Sequence, residues 1–230
     1  MKKSQLFHAC LPLFLFTLSP GRAAVYQEVG GVVVIEAENF HSRTNHPTNL
    51  HHWHIVPKED GVDEFADAPA FPDGGFPNAR GDKYIQLLPE GGFNITSAAG
   101  FAGPPWVDYK AYIQNPGRYR LFLRRRGYDG NSDSIYGQIV ELSDGPGGTV
   151  ADWYRYSASS TINFNGAWSG SAAFEDFTIA LPNVNAEWEI QNPGIYTIRV
   201  KHREDGVALD TVCLQLTTIA APTDPGPDES

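Results

Sequence analysis

The chain has 230 residues, 27 acidic side chains against 17 basic ones, and a formal charge of −10. That balance excludes nucleic acid as a partner, because phosphate binding needs clustered Lys and Arg, and it works against an anionic membrane surface. An apolar share of 41% suffices for a core, while 23 Gly, 17 Pro and 12% aromatics suit short strands joined by turns rather than helical bundles.

Residues 1–24 read as a secretory signal peptide. Lys2 and Lys3 start it, Leu11 to Leu18 is an apolar run too short to span a bilayer, and Gly21-Arg22-Ala23 places small residues at the cleavage position. The expected product is exported, extracellular or periplasmic, with no membrane insertion. Removing residues 1–23 leaves 14 basic side chains against 27 acidic ones, a charge of −13. It also leaves one cysteine, Cys213, in an apolar run, where it is expected as a buried small hydrophobe.

The strand candidates, in order, are Val32 to Glu38, Lys83 to Leu88, Val107 to Ile113, Tyr119 to Arg125, Ser134 to Leu142, Phe174 to Leu181, Glu187 to Ile190, Tyr196 to His202 and Thr211 to Thr217. Pro116-Gly117, Asp129-Gly130, Asp144 to Gly148, Pro193-Gly194 and Asp205-Gly206 punctuate them. Short strands at this spacing predict an all-β sandwich or jelly roll, one domain over 25–219. Ala66 to Gly81, rich in Pro, Gly and Asp, reads as a long surface loop, and 220–230 as a flexible tail or linker. One internal repeat is visible. Gln114-Asn115-Pro116-Gly117-Arg118-Tyr119 recurs 77 residues later as Gln191-Asn192-Pro193-Gly194-Ile195-Tyr196, with Arg126 matching Arg203 and Asp133 matching Asp210. The two units are expected at similar positions in the sandwich; convergence on a common turn is the alternative.

Glu36 and Glu38 lie two apart, so on a strand they share a face. Paired carboxylates repel unless something positive neutralises them, and calcium does so with hard oxygen ligands. Asp210, opening the last strand, is the third carboxylate in view. The alternative is two solvated glutamates on an edge strand.

The start Ile35-Glu36-Ala37-Glu38-Asn39-Phe40, the Pro-Gly-x-Tyr strand leading to Arg124-Arg125-Arg126, and the ending Asp205-Gly206-Val207-Ala208-Leu209-Asp210-Thr211-Val212 resemble carbohydrate-binding modules of families six and thirty-five. The resemblance runs from about Val25 to Thr218 in scattered motifs. It implies a galactose-binding-like β-sandwich, a structural calcium held by Glu36, Glu38 and Asp210, and a ligand site in loops at one end of the sandwich. The loops after Arg126 and after Arg203 then supply Asp129, Asn131, Arg203, Glu204 and Asp205. The chain is longer than a typical module of these families, and its middle loops are longer too.

Aromatics add to this. Trp53, Trp106, Tyr109, Trp153, Tyr154, Tyr156 and Trp168 cluster near turn residues, and a flat ring stacks well on the C–H face of a sugar. Trp53, Trp106 and Trp168 are the platform candidates; core packing is the competing role for each. Asp129-Gly130-Asn131-Ser132-Asp133-Ser134 begins like a calcium loop but lacks Gly at position six and Glu at position twelve, so it is no EF-hand. His52, His54 and Glu59 fit the His-x-His-x4-Glu spacing of cupins, without the upstream glycine or the later histidine in a Pro-x-Gly setting.

The favoured reading is a secreted carbohydrate-binding module, non-catalytic, with structural calcium, that holds a polysaccharide near a larger enzyme or cell-surface assembly. An adhesive or structural ectodomain of the same fold and a cupin-like metal-dependent enzyme are the alternatives. No nucleophile elbow or phosphate loop is present, so no catalytic residue is named.

Overall fold

The structure is a computed structural model that describes residues 24–46, 51–56, 79–95, 103, 105–129, 132–142, 154–156, 167–169, 171–174, 184–224 and 226–230. Its strands, in chain order, are β1 (Val25–Gln27), β2 (Val32–Glu36), β3 (Ser42–Thr44), β4 (His52–Val56), β5 (Tyr84–Leu88), β6 (Trp106–Ile113), β7 (Gly117–Arg126) and β8 (Ile135–Ile139). There follow β9 (Tyr154–Tyr156), β10 (Ala167–Ser169), β11 (Ser171–Phe174), β12 (Val184–Asn185), β13 (Glu187–Ile190), β14 (Gly194–His202) and β15 (Ala208–Leu216).

They form two sheets. One runs β1-β6-β14-β8-β9-β11-β12, with β3 also on β6; the other runs β10-β7-β15-β5-β4, with β13 on β7 and β2 on β15. All pairings are antiparallel except β1 with β6. The expected all-β sandwich is what the chain builds. Alternation sets the core. Val33, Ile35, Ile85, Leu87, Leu121, Leu123, Val212 and Leu214 of one sheet meet Val107, Tyr109, Ala111, Ile139, Ile198 and Val200 of the other, all fully buried.

Short strands lie end to end along long ones. On one side of β15, β2 pairs with 211–215 and β5 with 208–209. The ladder between β15 and β7 slips between Leu209 and Thr211, so Asp210 occupies a β-bulge where β2 stops and β5 starts. A bulge re-aims a side chain, and here it is an acid.

The repeated units start β7 and β14, one long strand in each sheet. Each carries the same corner: Tyr119 Oη donates to the Asn115 carbonyl at 2.8 Å, and Tyr196 Oη to the Asn192 carbonyl at 2.7 Å. The first corner has an extra tie. Glu28, 2% exposed, accepts from the amides of Gly31, Gln114 and Asn115, from Asn115 Nδ2 and from Tyr119 Oη. Burial pushes the Glu28 carboxyl up, but these bonds outweigh it and leave it below the usual carboxylate range.

His52 and His54 lie on strand β4, and Trp53 between them takes the core-packing role, with no exposure. The tail is not free over its described residues. Ser230 and Val34 exchange hydrogen bonds at 2.9 Å, and Glu229 accepts from the Glu36 amide at 2.9 Å, so it lies along β2. An amide-rich strand edge attracts any segment that offers acceptors. Cys213 is buried beside Val34 and Phe122, and burial pushes its thiol up to about 12, as suits an inert hydrophobe.

Candidate functional site

Two places hold the residues singled out in the sequence. The first is the junction of β2 and β5 on β15. After Glu36 the chain makes one 3-10 turn, Ala37–Asn39, which carries Glu38 back over the strand end. Opposite it, Arg80-Gly81-Asp82 turns tightly, with Gly81 at φ +58°. A Cβ on Gly81 would sit 2.8 Å from Glu36 Oε2 and 3.4 Å from Glu38 Oε1, so the backbone meets both carboxylates where only glycine fits. Asp210 approaches from the bulge but is engaged otherwise. It accepts from Arg124 Nη1 at 2.6 Å, from the Arg80 amide at 2.8 Å and from Thr211 Oγ1 at 2.7 Å.

The three acids feel one another. Burial first, then the charges of Glu36 and Asp210, push Glu38 up to about 7. Glu36 is raised by burial and by the carboxylates of Glu229 and Asp210, against a lowering pull from Arg80. Glu38 Oε2 is buried without a hydrogen-bond partner. Glu38 thus keeps one buried oxygen unused beside a second carboxylate. Among the described residues, however, no group of three or more His, Cys, Asp or Glu side chains is arranged to hold a metal ion. The reason is Asp210: its two oxygens are taken by arginine and threonine, and Glu36 and Glu38 alone face the Gly81 turn.

The second place is the end of the sandwich where β5, β7 and β14 finish and β4, β6, β8 and β15 begin. Here Phe93 is half-buried between two imidazoles. Its ring stacks on His51 at 4.6 Å and 27° and on His202 at 5.0 Å and 14°, with His46 edge-on at 5.7 Å. The His202 amide and ring lie 3.4 Å from the Pro105 carbonyl, one residue before Trp106. Trp106 is half-buried, with the Arg199 guanidinium 4.4 Å from its ring centre and Lys201 Nζ at 6.0 Å. Arg199 is fixed by a two-point pair with Asp108, at 2.7 and 2.9 Å. Burial, then the Arg199 charge, bring Lys201 down to about 7; burial brings His202 down to about 3.

The acidic loop residues expected to read sugar hydroxyls have a different task. Glu204 accepts from the amides of Asp133 and Ser134 at 3.0 Å and from Ser134 Oγ at 2.6 Å, and it pairs with Arg203. Asp205, fully buried, accepts from the amides of Gly91 and Phe93 and meets His51 Nε2 at 3.0 Å. Burial raises Asp205, but these bonds outweigh it and hold its carboxyl low. Arg203 donates to Ser134 Oγ at 2.7 Å. Arg203, Glu204 and Asp205 therefore tie three loops together instead of presenting polar atoms outward. Asp133 is raised by burial and by the Glu204 charge beside it.

The remaining candidates separate. Trp53, expected as a platform, is core. Trp106 stands at the loop end. Trp168 lies on β10 in register with Arg124. Asp129 is exposed in its loop, and Asn131, Trp153 and Glu59 lie outside the described residues. His52 and His54 stack at 3.7 Å on the face of β4 opposite Trp53. The aromatic residue that the sequence reading missed is Phe93; its signal was a large ring directly after Gly91-Gly92, where a turn exposes it.

No family model matches the chain. Uncharacterized protein P23 of Formosa agariphila is 24% identical over 226 residues, covering 89% of this chain and 48% of that protein, so the chain spans about half the length of this relative. Among solved structures, the C-terminal CBM6 of LamC from Zobellia galactanivorans is 13% identical, with 80% of this chain and 98% of that one covered and a TM-score of 0.39. The module CBM6cm-2 of Cellvibrio mixtus lichenase 5A, solved with cellotriose, is 12% identical over 81% and 98%, TM-score 0.39. A family 35 carbohydrate-binding module from Clostridium thermocellum is 12% identical over 82% and 100%, TM-score 0.41. These neighbours are modules of the two families that the sequence motifs resemble.

Proposed function

We propose that this chain is a carbohydrate-binding module that works outside the cell and binds a polysaccharide without catalysing its cleavage. The observation that carries the reading is the aromatic end of the sandwich. Phe93, His46 and His51 are half-buried there, with Phe93 and His51 braced by Asp205, and Trp106 is half-buried at the start of β6. A braced aromatic surface bordered by charged groups suits sugar rings, which offer apolar faces and a rim of hydroxyls. Affinity electrophoresis in gels containing neutral and acidic polysaccharides tests this. Retardation by at least one polymer, lost in Trp106→Ala with an unchanged melting temperature, is the expected result. No retardation by any polymer leaves the adhesive reading in its place.

The same proposal includes a structural calcium, for which Glu36 and Glu38 are the carboxylate donors beside the Gly81 turn, with Asp210 behind them on Arg124. A bound calcium supplies positive charge to crowded carboxylates and so stiffens the β2–β5 junction. The support is the buried, unpartnered Glu38 Oε2 and the raising of Glu38 by burial and by the Glu36 and Asp210 charges. Calcium titration by calorimetry, on wild type and on Glu38→Gln, is the direct check; equal heats for the two proteins would remove Glu38 from the site.

A further inference from the structure

The tail touches β2 and the turn after it through Ser230 and Glu229, and before that it meets two arginines, each with one partner in the fold and another in the tail. Arg124 gives Nη1 to Asp210 inside the fold and Nε to Asp224 of the tail, at 3.1 Å. Arg80 gives its amide to Asp210, sets Nε 3.7 Å from Glu36, and turns Nη1 and Nη2 to the Gly226 carbonyl and Asp228, at 3.0 and 3.2 Å. Each guanidinium is thus fixed from within by the fold and presents another edge to the tail.

Exposure divides the pairs in the same way. The Arg124 and Arg80 side chains are 1% and 13% exposed; Asp224 and Asp228 are 54% and 104% exposed. The basic side is built and the acidic side is laid on top. An ion pair whose acid is open to water contributes little to stability. Ser230 and Glu229 hold the tail end along β2, so Asp224 and Asp228 lie against the arginines without being buried.

We infer that the outward edges of Arg80 and Arg124 form an anion-binding site that the acidic tail occupies in place of an external ligand, and that this ligand is a carboxylate or sulfate group on an acidic polysaccharide. Planar guanidinium edges suit both oxyanions. The polymeric nature of the ligand rests on the carbohydrate-binding reading above; the anion site does not. The tail then acts as a displaceable stand-in, and a polymer carrying many anions outcompetes two exposed aspartates by repeated engagement.

The test uses the full chain with polygalacturonate (carboxylate), dextran sulfate (sulfate) and dextran (neutral), measured by calorimetry. Asp224→Asn/Asp228→Asn should bind one or both acidic polymers about tenfold more tightly than wild type, with dextran unchanged. The polymer that shows the gain identifies the oxyanion. Adding Arg80→Gln should abolish the gain. Glu187→Gln/Glu189→Gln, which makes the same charge change on β13, should not produce it. The inference is overturned if the tail variant gains nothing, or if the β13 variant gains as much, which would mean net charge alone. Trp106→Ala separates the two proposals, since it should remove loop-end binding and leave the tail-variant gain in place. If Trp106→Ala changes no binding while that gain persists, the loop-end reading fails and the anion site stands.

Discussion

Glu28 and Glu38 are glutamates at opposite ends of β2, and their surroundings are opposite in kind. Glu28 is buried among donors: three amides, an Asn side chain and a Tyr hydroxyl. Its charge is solvated by the protein and stays. Glu38 is half-buried among acids, with one buried oxygen lacking any partner, and its carboxyl is pushed up to about 7. Burial raises both carboxyls; what differs is whether dipoles or like charges replace the water. The first arrangement is a finished structural joint. The second is unbalanced until positive charge arrives.

The sharpest way to break the comparison is at Glu28. Glu28→Ala strands several buried donors, and the expected loss is about 4 kcal/mol, read as a fall in urea midpoint at constant slope. The same change at Glu38 in chelator should cost far less, because it removes repulsion. An equal loss at both sites would contradict the contrast.

Next in size is the calcium response. Calcium at about a hundred times its dissociation constant should stabilise the wild type by about 2.7 kcal/mol, and Glu36→Gln/Glu38→Gln should abolish the shift. Thermal unfolding in EDTA and in calcium reads this directly. No shift in the wild type would mean that Arg80 and Arg124 balance the acids by themselves.

His202 extends the comparison to a base. The folded chain keeps it neutral down to about pH 3, whereas an unfolded histidine takes its proton near 6.5. Between those values the unfolded state binds more protons, so stability must fall as pH drops from about 6.5 toward 3. The expected slope is about 1 kcal/mol per pH unit. His202→Phe, which keeps a ring against Phe93, should flatten it; an unchanged slope would assign the acid sensitivity elsewhere.

The smallest effect separates the repeated corners. Tyr196→Phe loses one hydrogen bond to a carbonyl, about 1 kcal/mol. Tyr119→Phe also loses contact with the Glu28 carboxylate and should cost about 2 kcal/mol. Equal losses would show that Glu28 gains nothing from Tyr119.

Much of this frame was legible beforehand. Alternation and Gly-Pro punctuation located β2, β5, β6, β7, β13, β14 and β15 to within a few residues, because strands buried on one face must alternate. The repeat predicted equivalent positions, and the two Tyr corners deliver them. β4 was missed because His52 and His54 carry the polar phase and only Trp53 and Ile55 the apolar one, a pattern that also reads as an aromatic loop. Trp53 was misassigned for the same reason. Glu204 and Asp205 sit in a turn, where acids commonly read ligands; that they brace neighbouring loops depends on amides contributed by distant residues 91, 93, 133 and 134.

By itself, the sequence determined which residues alternate and where the chain turns. These are local properties, written in neighbours a few positions apart. The strand expected to carry both Glu36 and Glu38 ends at Glu36, and a 3-10 turn carries Glu38. Only the tertiary structure decided what each buried charge meets. Asp210 faces Arg124 because a bulge in β15 re-aims it, Glu28 meets the Gln114 corner because β1 lies parallel to β6, and the tail reaches Arg80 because the edge of β2 is open to it. The electrostatic role of an acid depends on the groups within a few ångströms, and in this sandwich those groups arrive from positions 86 to 193 residues away.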